Sequence, residues 1–210
     1  MARERANRKS QWESFCKKGI QDAVVRVLSA DGTKGLTMER VAREAGVAKG
    51  TLYVYFKDKK QLLHSVKEES MAPMRRELFE ILDGDLPPLE KLRRFVVRHL
   101  SYFDEHREFF RVLLWDRQLA ETNLRRQQSD PFRTYVEKIA AVLREGASAK
   151  AFRPLEPVKV AAVLIEADIA MIAQRLLTDT PGSVEEDARM LTDLIMNGLS
   201  LKRTGPARRT

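Results

Sequence analysis

Residues 35–63 read GLTMERVAREAGVAKGTLYVYFKDKKQLL. Thr37 stands just before an amphipathic turn, where its hydroxyl can accept from a free amide of the first helical turn. Leu36 and Val41 have the spacing of a hydrophobic staple, and Glu39 suits the positive end of the helix dipole. Gly46 falls where the chain must leave the helix with positive φ, a conformation that costs glycine least. The pattern predicts one helix over 38–45, a tight turn, and a second helix over 49–55. Two short helices across a glycine turn make a helix-turn-helix.

The second of these helices carries the chemistry. Leu52 and Phe56 lie four apart and can face inward. Lys49, Gly50, Thr51, Tyr53, Val54 and Tyr55 cover the other faces, a set that a helix buried on all sides would not hold. The N-terminal residues of a recognition helix reach base edges in the major groove of duplex DNA. Lys49 can donate to guanine O6 or N7. Thr51 can offer its hydroxyl to a base or a phosphate, Gly50 lets the backbone come close, and Val54 can touch a thymine methyl. The Tyr53 and Tyr55 hydroxyls can reach phosphates, which fix register without reading sequence.

Asp58 with Gln61 reads as a capping box opening the next helix. Lys59 and Lys60 then occupy its first turn, where the dipole disfavours cations by ~0.3–1 kcal/mol. A phosphate bound at that helix start would reverse the sign of the effect; two solvated surface lysines are the other reading.

Working outward, helical periodicity continues through most of the chain, and no segment alternates in the manner of a strand. A first helix is expected from Ser10 to Ala30, ended by Asp31-Gly32. A longer one starts after Asp58, runs to about Leu82, and should kink at Pro73. Further helices are expected over 89–106, around Phe109 and Phe110, over 130–145, over 157–178 and over 183–201. The fold class is therefore all-α, with about nine helices. The expected division is a basic arm and helix-turn-helix domain over 1–57, a helical effector-binding and dimerisation domain over 58–202, and a disordered basic tail over 203–210. The arm, with Arg3, Arg5, Arg8 and Lys9, is expected to lack structure.

Charge follows the same division. Residues 1–66 hold 14 Lys and Arg against 7 Asp and Glu, residues 67–201 hold 20 against 23, and the last nine residues add four cations within a total of +8. A basic N-terminal unit on a mildly acidic body points to a polyanion bound at the N-terminus. The 210 residues, 43% hydrophobic and 32% charged, suit a folded protein rather than a disordered one. Apolar runs never reach the ~18 residues of a membrane span, and MARERANRKS at the start has no apolar signal core, so a cytoplasmic protein is expected. The one cysteine, Cys16, reads as a small apolar residue of the first helix rather than a redox group.

An enzyme is the main rival class. The phosphate-binding, dinucleotide-binding, nucleophile-elbow and zinc-protease motifs are all missing. His64, His99 and His106 have no ligand spacing with Cys16. His99 and His106 beside Asp104 and Glu105 form a loose metal constellation for which solvated or packed side chains are the better reading. No catalytic residue, metal or cofactor is expected.

From Ile20 to Val66 the chain closely resembles the DNA-binding domain of the TetR (tetracycline-repressor) family. The resemblance rests on Gly35-Leu36-Thr37, Val41-Ala42, Ala45-Gly46-Val47, Lys49-Gly50-Thr51-Leu52-Tyr53, Tyr55-Phe56, Lys57, Lys59 and Leu62-Leu63. It implies phosphate contacts at Thr37, Tyr53, Tyr55 and Lys59 and base reading at Lys49, Gly50 and Thr51. Lys57 joins the expected DNA-binding set. The residue opening the recognition helix, often Ser or Thr in the family, is here Ala48, which cannot cap.

The resemblance also implies that the last two helices pair with their copies in a homodimer. The expected interface is Val160, Leu164, Ala167, Met171, Leu191, Leu194, Ile195 and Leu199; internal core is the other reading of these stripes. A dimer also suits the half-site spacing of a helix-turn-helix on a palindromic operator. In the middle helices Phe95, Phe103, Phe110, Trp115, Tyr135 and Met171, with Phe109 and Phe132, could line a cavity for a small apolar effector. His99, Gln174 and Arg175 would supply its polar groups. The function expected is that of an effector-released transcription repressor. The alternative is a constitutive dimeric DNA-binding protein, which a densely packed body would favour.

Overall fold

A short hydrogen bond fixes the element on which the expected DNA face depends. The Thr37 hydroxyl accepts from the Arg40 amide at 3.1 Å, and a seven-residue helix follows at once. In the computed structural model, residues 2–115 and 130–199 are described, with side chains for 16–32, 34–111 and 130–195. Among the described residues the fold is all-α, without a strand. The helices are α1 (Ala2–Gly35), α2 (Met38–Glu44), α3 (Lys49–Tyr55), α4 (Lys59–Asp83), α5 (Pro88–Glu105), α6 (Arg107–Trp115), α7 (Asp130–Ser148), α8 (Pro157–Leu177) and α9 (Val184–Leu199).

The helices sort into two compact units. One holds α1, α2, α3, α4 as far as Pro73, and α6; the other holds α4 from Met74, α5, α7, α8 and α9. In the first, Ile20, Val24 and Leu28 of α1, Val41 of α2, Leu52 of α3 and Leu62 and Leu63 of α4 are almost completely buried. Each such side chain contributes about 1.5–3 kcal/mol by leaving water. Polar ties at the rim set the helices' register: Gln21 to Ser65 at 3.2 Å between α1 and α4, and Arg26 to Glu44 at 2.7 Å between α1 and α2.

One expectation changes here. The basic arm is helical from Ala2 onward; it is rich in Ala, Arg, Glu and Lys, which are good helix formers, and holds no breaker. The break expected at Asp31-Gly32 is present: Gly32 leaves the helical region with φ 64°, and a short helical stretch follows it to Gly35. The first unit takes in the start of α4 as far as Pro73, with Leu62, Leu63 and Val66 buried there. Pro73 does not stop α4, which continues to Asp83. The tail at 203–210 lies outside the described residues.

The second unit has its core in Phe95 and Leu100 of α5, Ile139 and Ala140 of α7, Ala161 and Ile165 of α8, and Met74 and Leu78 of α4. Arg175, near the end of α8, is 3% exposed and bonds Asp104 of α5 and Asp187 of α9. It also donates to the Gly182 carbonyl at 3.1 Å. Burial works against this charge, but the hydrogen bonds it donates to Asp104 and Asp187 outweigh that and hold the guanidinium above its ordinary pKa. At the end of α7 the ring of Phe152 occupies the space a Cβ on Gly146 would take.

Candidate DNA interface and effector core

The turn between α2 and α3 is built from backbone. Gly46 takes φ +68°, and its amide donates to the Arg43 carbonyl at 3.2 Å while that of Val47 reaches Ala42 at 2.9 Å. These bonds answer the carbonyls left open at the end of α2. α3 begins at Lys49 behind Ala48, which provides no side-chain cap. Asp58 accepts from the Gln61 amide at 2.7 Å, and Gln61 accepts from the Lys57 amide at 2.6 Å. The box is thus closed one residue earlier than the standard form, which uses the cap residue's own amide.

α3 has two faces. Leu52 and Phe56 are buried. Lys49, Gly50, Tyr53 and Val54 are exposed, Thr51 and Tyr55 half-buried. Val54 is 79% exposed, a large β-branched apolar side chain left in water without a packing reason inside the protomer. Thr37 and Lys57 are exposed, and Lys59 is half-buried. Lys49 pairs with Glu39 of α2, and its ammonium lies 5.9 Å from the centre of the Tyr53 ring. Lys17 of α1 stands 5.9 Å from the Tyr55 ring. The hydrogen bond from Lys49 holds the Glu39 carboxyl below the usual carboxylate range, and the same bond raises the Lys49 ammonium.

The second unit brings together part of the expected pocket set. His99 contacts Phe95 at 5.5 Å, Phe103 at 5.4 Å and Tyr135 at 6.2 Å between ring centres. Phe79, which sequence reading passed over, meets Tyr135 edge-on at 5.2 Å. Met171 is half-buried, and Gln174 is exposed. Phe110 is buried on α6, in the other unit. The side chain of Trp115 lies outside the described residues. Arg175 is engaged by its two aspartates. A cleft of about 270 Å³ at the end of α7 and the start of α8 is lined by Leu143, Arg144, Phe152 and Val160, among others, and shares no residue with the ring cluster.

Sequence reading missed Asp168. It is 0% exposed on α8, and the His99 Nδ1 hydrogen-bonds its Oδ2. The signal was available: within VAAVLIEADIAMIAQ the carboxylate lies one turn from Leu164 and one turn from Ile172, on the buried stripe.

The expected dimer residues divide as well. Leu164 and Leu191 are buried within the protomer, while Val160, Ala167, Met171 and Ile195 are half-buried. The Leu199 side chain lies outside the described residues. Leu194 is 72% exposed, joined by Val163, Leu177 and Met190. One residue turns a side chain 100° about the axis, so the open apolar face passes through Val163 and Met190, while their neighbours Leu164 and Leu191 belong to the core.

The profile of the bacterial regulatory proteins of the tetR family matches residues 20–66, and that of the tetracyclin repressor-like C-terminal domain matches residues 85–199. The chain belongs to the TetR family. It is a helix-turn-helix DNA-binding regulator of transcription rather than an enzyme. It is 25% identical over 184 residues, 88% of this chain and 96% of the relative, to the HTH-type transcriptional regulator YhgD of Bacillus subtilis. Over 127 residues, 60% of this chain and 66% of the relative, it is 28% identical to a fatty acid metabolism regulator protein of the same organism. A Bacillus subtilis FadR structure in complex with stearoyl-CoA shares the fold, with TM-score 0.70, 21% identity, and coverage of 86% of this chain and 98% of that one. TetR-family regulators bind DNA and dimerise. Among the described residues no helix is long and apolar enough to cross a membrane, and no cluster of three or more His, Cys, Asp or Glu could hold a metal.

Proposed function

We propose that the chain is a homodimeric repressor that places two copies of α3 in successive major grooves of a palindromic operator and is released by a small, largely apolar effector. The observation that carries the DNA half is the division of α3. Leu52 and Phe56 anchor it inward, leaving Lys49, Gly50 and Thr51 at its N-terminal end for base edges. Thr37, Tyr53, Tyr55, Lys57 and Lys59 are assigned to phosphates, which position the helix, and Val54 to a thymine methyl. The exposed stripe of Val163, Leu177, Met190 and Leu194 supports a dimer face on α8 and α9, since soluble monomers leave few such patches uncovered.

The effector half is supported by the ring cluster around His99 and by the relative named for fatty acid metabolism. An effector releases the operator only to the extent that it binds the DNA-incompetent state more tightly. Selection of duplexes by the full chain from a random pool tests the DNA half. The expected winners are inverted repeats with half-sites about one helical turn apart. Enrichment of single, unrepeated sites, or of none, would refute it.

A further inference from the structure

We propose that Asp168 and His99 form the polar anchor of the effector site, and that they select an effector carrying a hydrogen-bond donor, a hydroxyl or an amine, on an apolar body. The inference rests on the effector reading above and narrows it to one ligand chemistry. Asp168 is wholly buried in the apolar stripe of α8, and among the described residues its partner is His99, itself 4% exposed. Its second oxygen, Oδ1, is buried and meets no donor. Buried carboxylates normally have their lone pairs answered, because desolvation is not recovered otherwise. The lone pairs of a carboxyl oxygen accept, so a donating group is the one that answers Oδ1.

The surroundings fit the rest of such a molecule. Phe95, Phe103 and Tyr135 surround the imidazole at ring-contact distances. Phe103, in ring contact with His99, is half-buried. An anionic head group brings only acceptors to an oxygen that itself accepts. A molecule with no polar group would leave Oδ1 as unanswered as before. The anchor therefore favours a donor head over the carboxylate of a free fatty acid.

Four probes of one shape separate these cases: 4-butylphenol, 4-butylbenzylamine, 4-butylanisole and 4-butylbenzoate. Binding to the full-length protein is read by calorimetry, and release of its pool-selected duplex by gel shift. The phenol and the amine should bind at least tenfold more tightly than the anisole, with the benzoate weakest, and should release DNA in the same order. Asp168→Asn should weaken the amine at least tenfold, and Asp168→Leu should abolish the preference for donors while keeping the anisole. Anisole or benzoate binding as well as the phenol and the amine would overturn the anchor and leave the effector reading standing. So would a donor preference that survives in Asp168→Leu with its helical circular dichroism intact. Binding by none of the four, with no release, would remove both. If the variants do not fold, the ranking on the wild-type protein decides alone, and a water filling the Oδ1 position would show as no ranking at all.

Discussion

Lys49 and Arg175 are both cations bonded to carboxylates, yet they sit in opposite environments. Lys49 and Glu39 have side chains 55% and 60% exposed. Arg175 is 3% exposed between Asp104 and Asp187. In water an ion pair contributes little, because solvent and salt do most of what the partner does. Such a pair can open to admit a phosphate or a base edge at little cost. In the protein interior the partners are obligatory, since a buried charge that loses them has no other source of solvation. The helix-turn-helix unit thus keeps this cation exchangeable, and the second unit uses its cation to fasten α5, α8 and α9.

The largest effect should come from breaking the buried partner. Arg175→Met leaves two aspartates and the carbonyl of Gly182 unanswered and should destabilise the fold by about 3 kcal/mol, the lower end for a broken buried pair because both aspartates reach some water. Urea unfolding measures it; a loss under about 1 kcal/mol would mean the cluster is as dispensable as a surface pair. Lys49→Ala should leave fold stability within about 0.5 kcal/mol but cost about 1–3 kcal/mol of operator affinity and relax preference at one base pair. A gel-shift series over operator variants reads both quantities, and an unchanged base preference would exclude base reading.

The smallest effect concerns the exposed pair itself. A carboxyl lowered in the folded state stabilises the fold above its ordinary pKa of 4.5 and loses that contribution as pH falls through the lowered value. Glu39 should therefore titrate below 4.5 by NMR and move back toward it in Lys49→Ala. Glu39→Gln should remove this acid dependence and tighten all duplexes alike by a few-fold, because one charge that repels phosphate is gone. Tightening confined to the operator would place Glu39 at a base instead.

The same contrast explains what could be read from the chain alone. α2, the turn and α3 were legible because Thr37, Gly46 and the Leu52/Phe56 pair act locally, within a few residues of the structure they determine. The bend at Gly32 was visible as a breaker, but not that α1 would resume beyond it, which depends on packing. In the second unit the decisive partners are distant. His99 meets Asp168 sixty-nine residues away, and Arg175 meets Asp104 seventy-one away. Periodicity places such residues on a helix but names no partner, so Arg175 was expected in the pocket and Asp168 was passed over. On α8 periodicity did not separate Leu164, buried, from its neighbour Val163, exposed, because one residue along the helix decides which side meets the core.

Phe152 and Gly146 carry a lesson of a different kind. A benzene ring fills the void left by a missing methyl, so the two positions amount to a single choice written twice. Drift at 146 toward any larger residue has to wait for a smaller one at 152, or the end of α7 must be rebuilt. Chains descended from this one should therefore carry a larger residue at 146 only where 152 is already smaller than Phe.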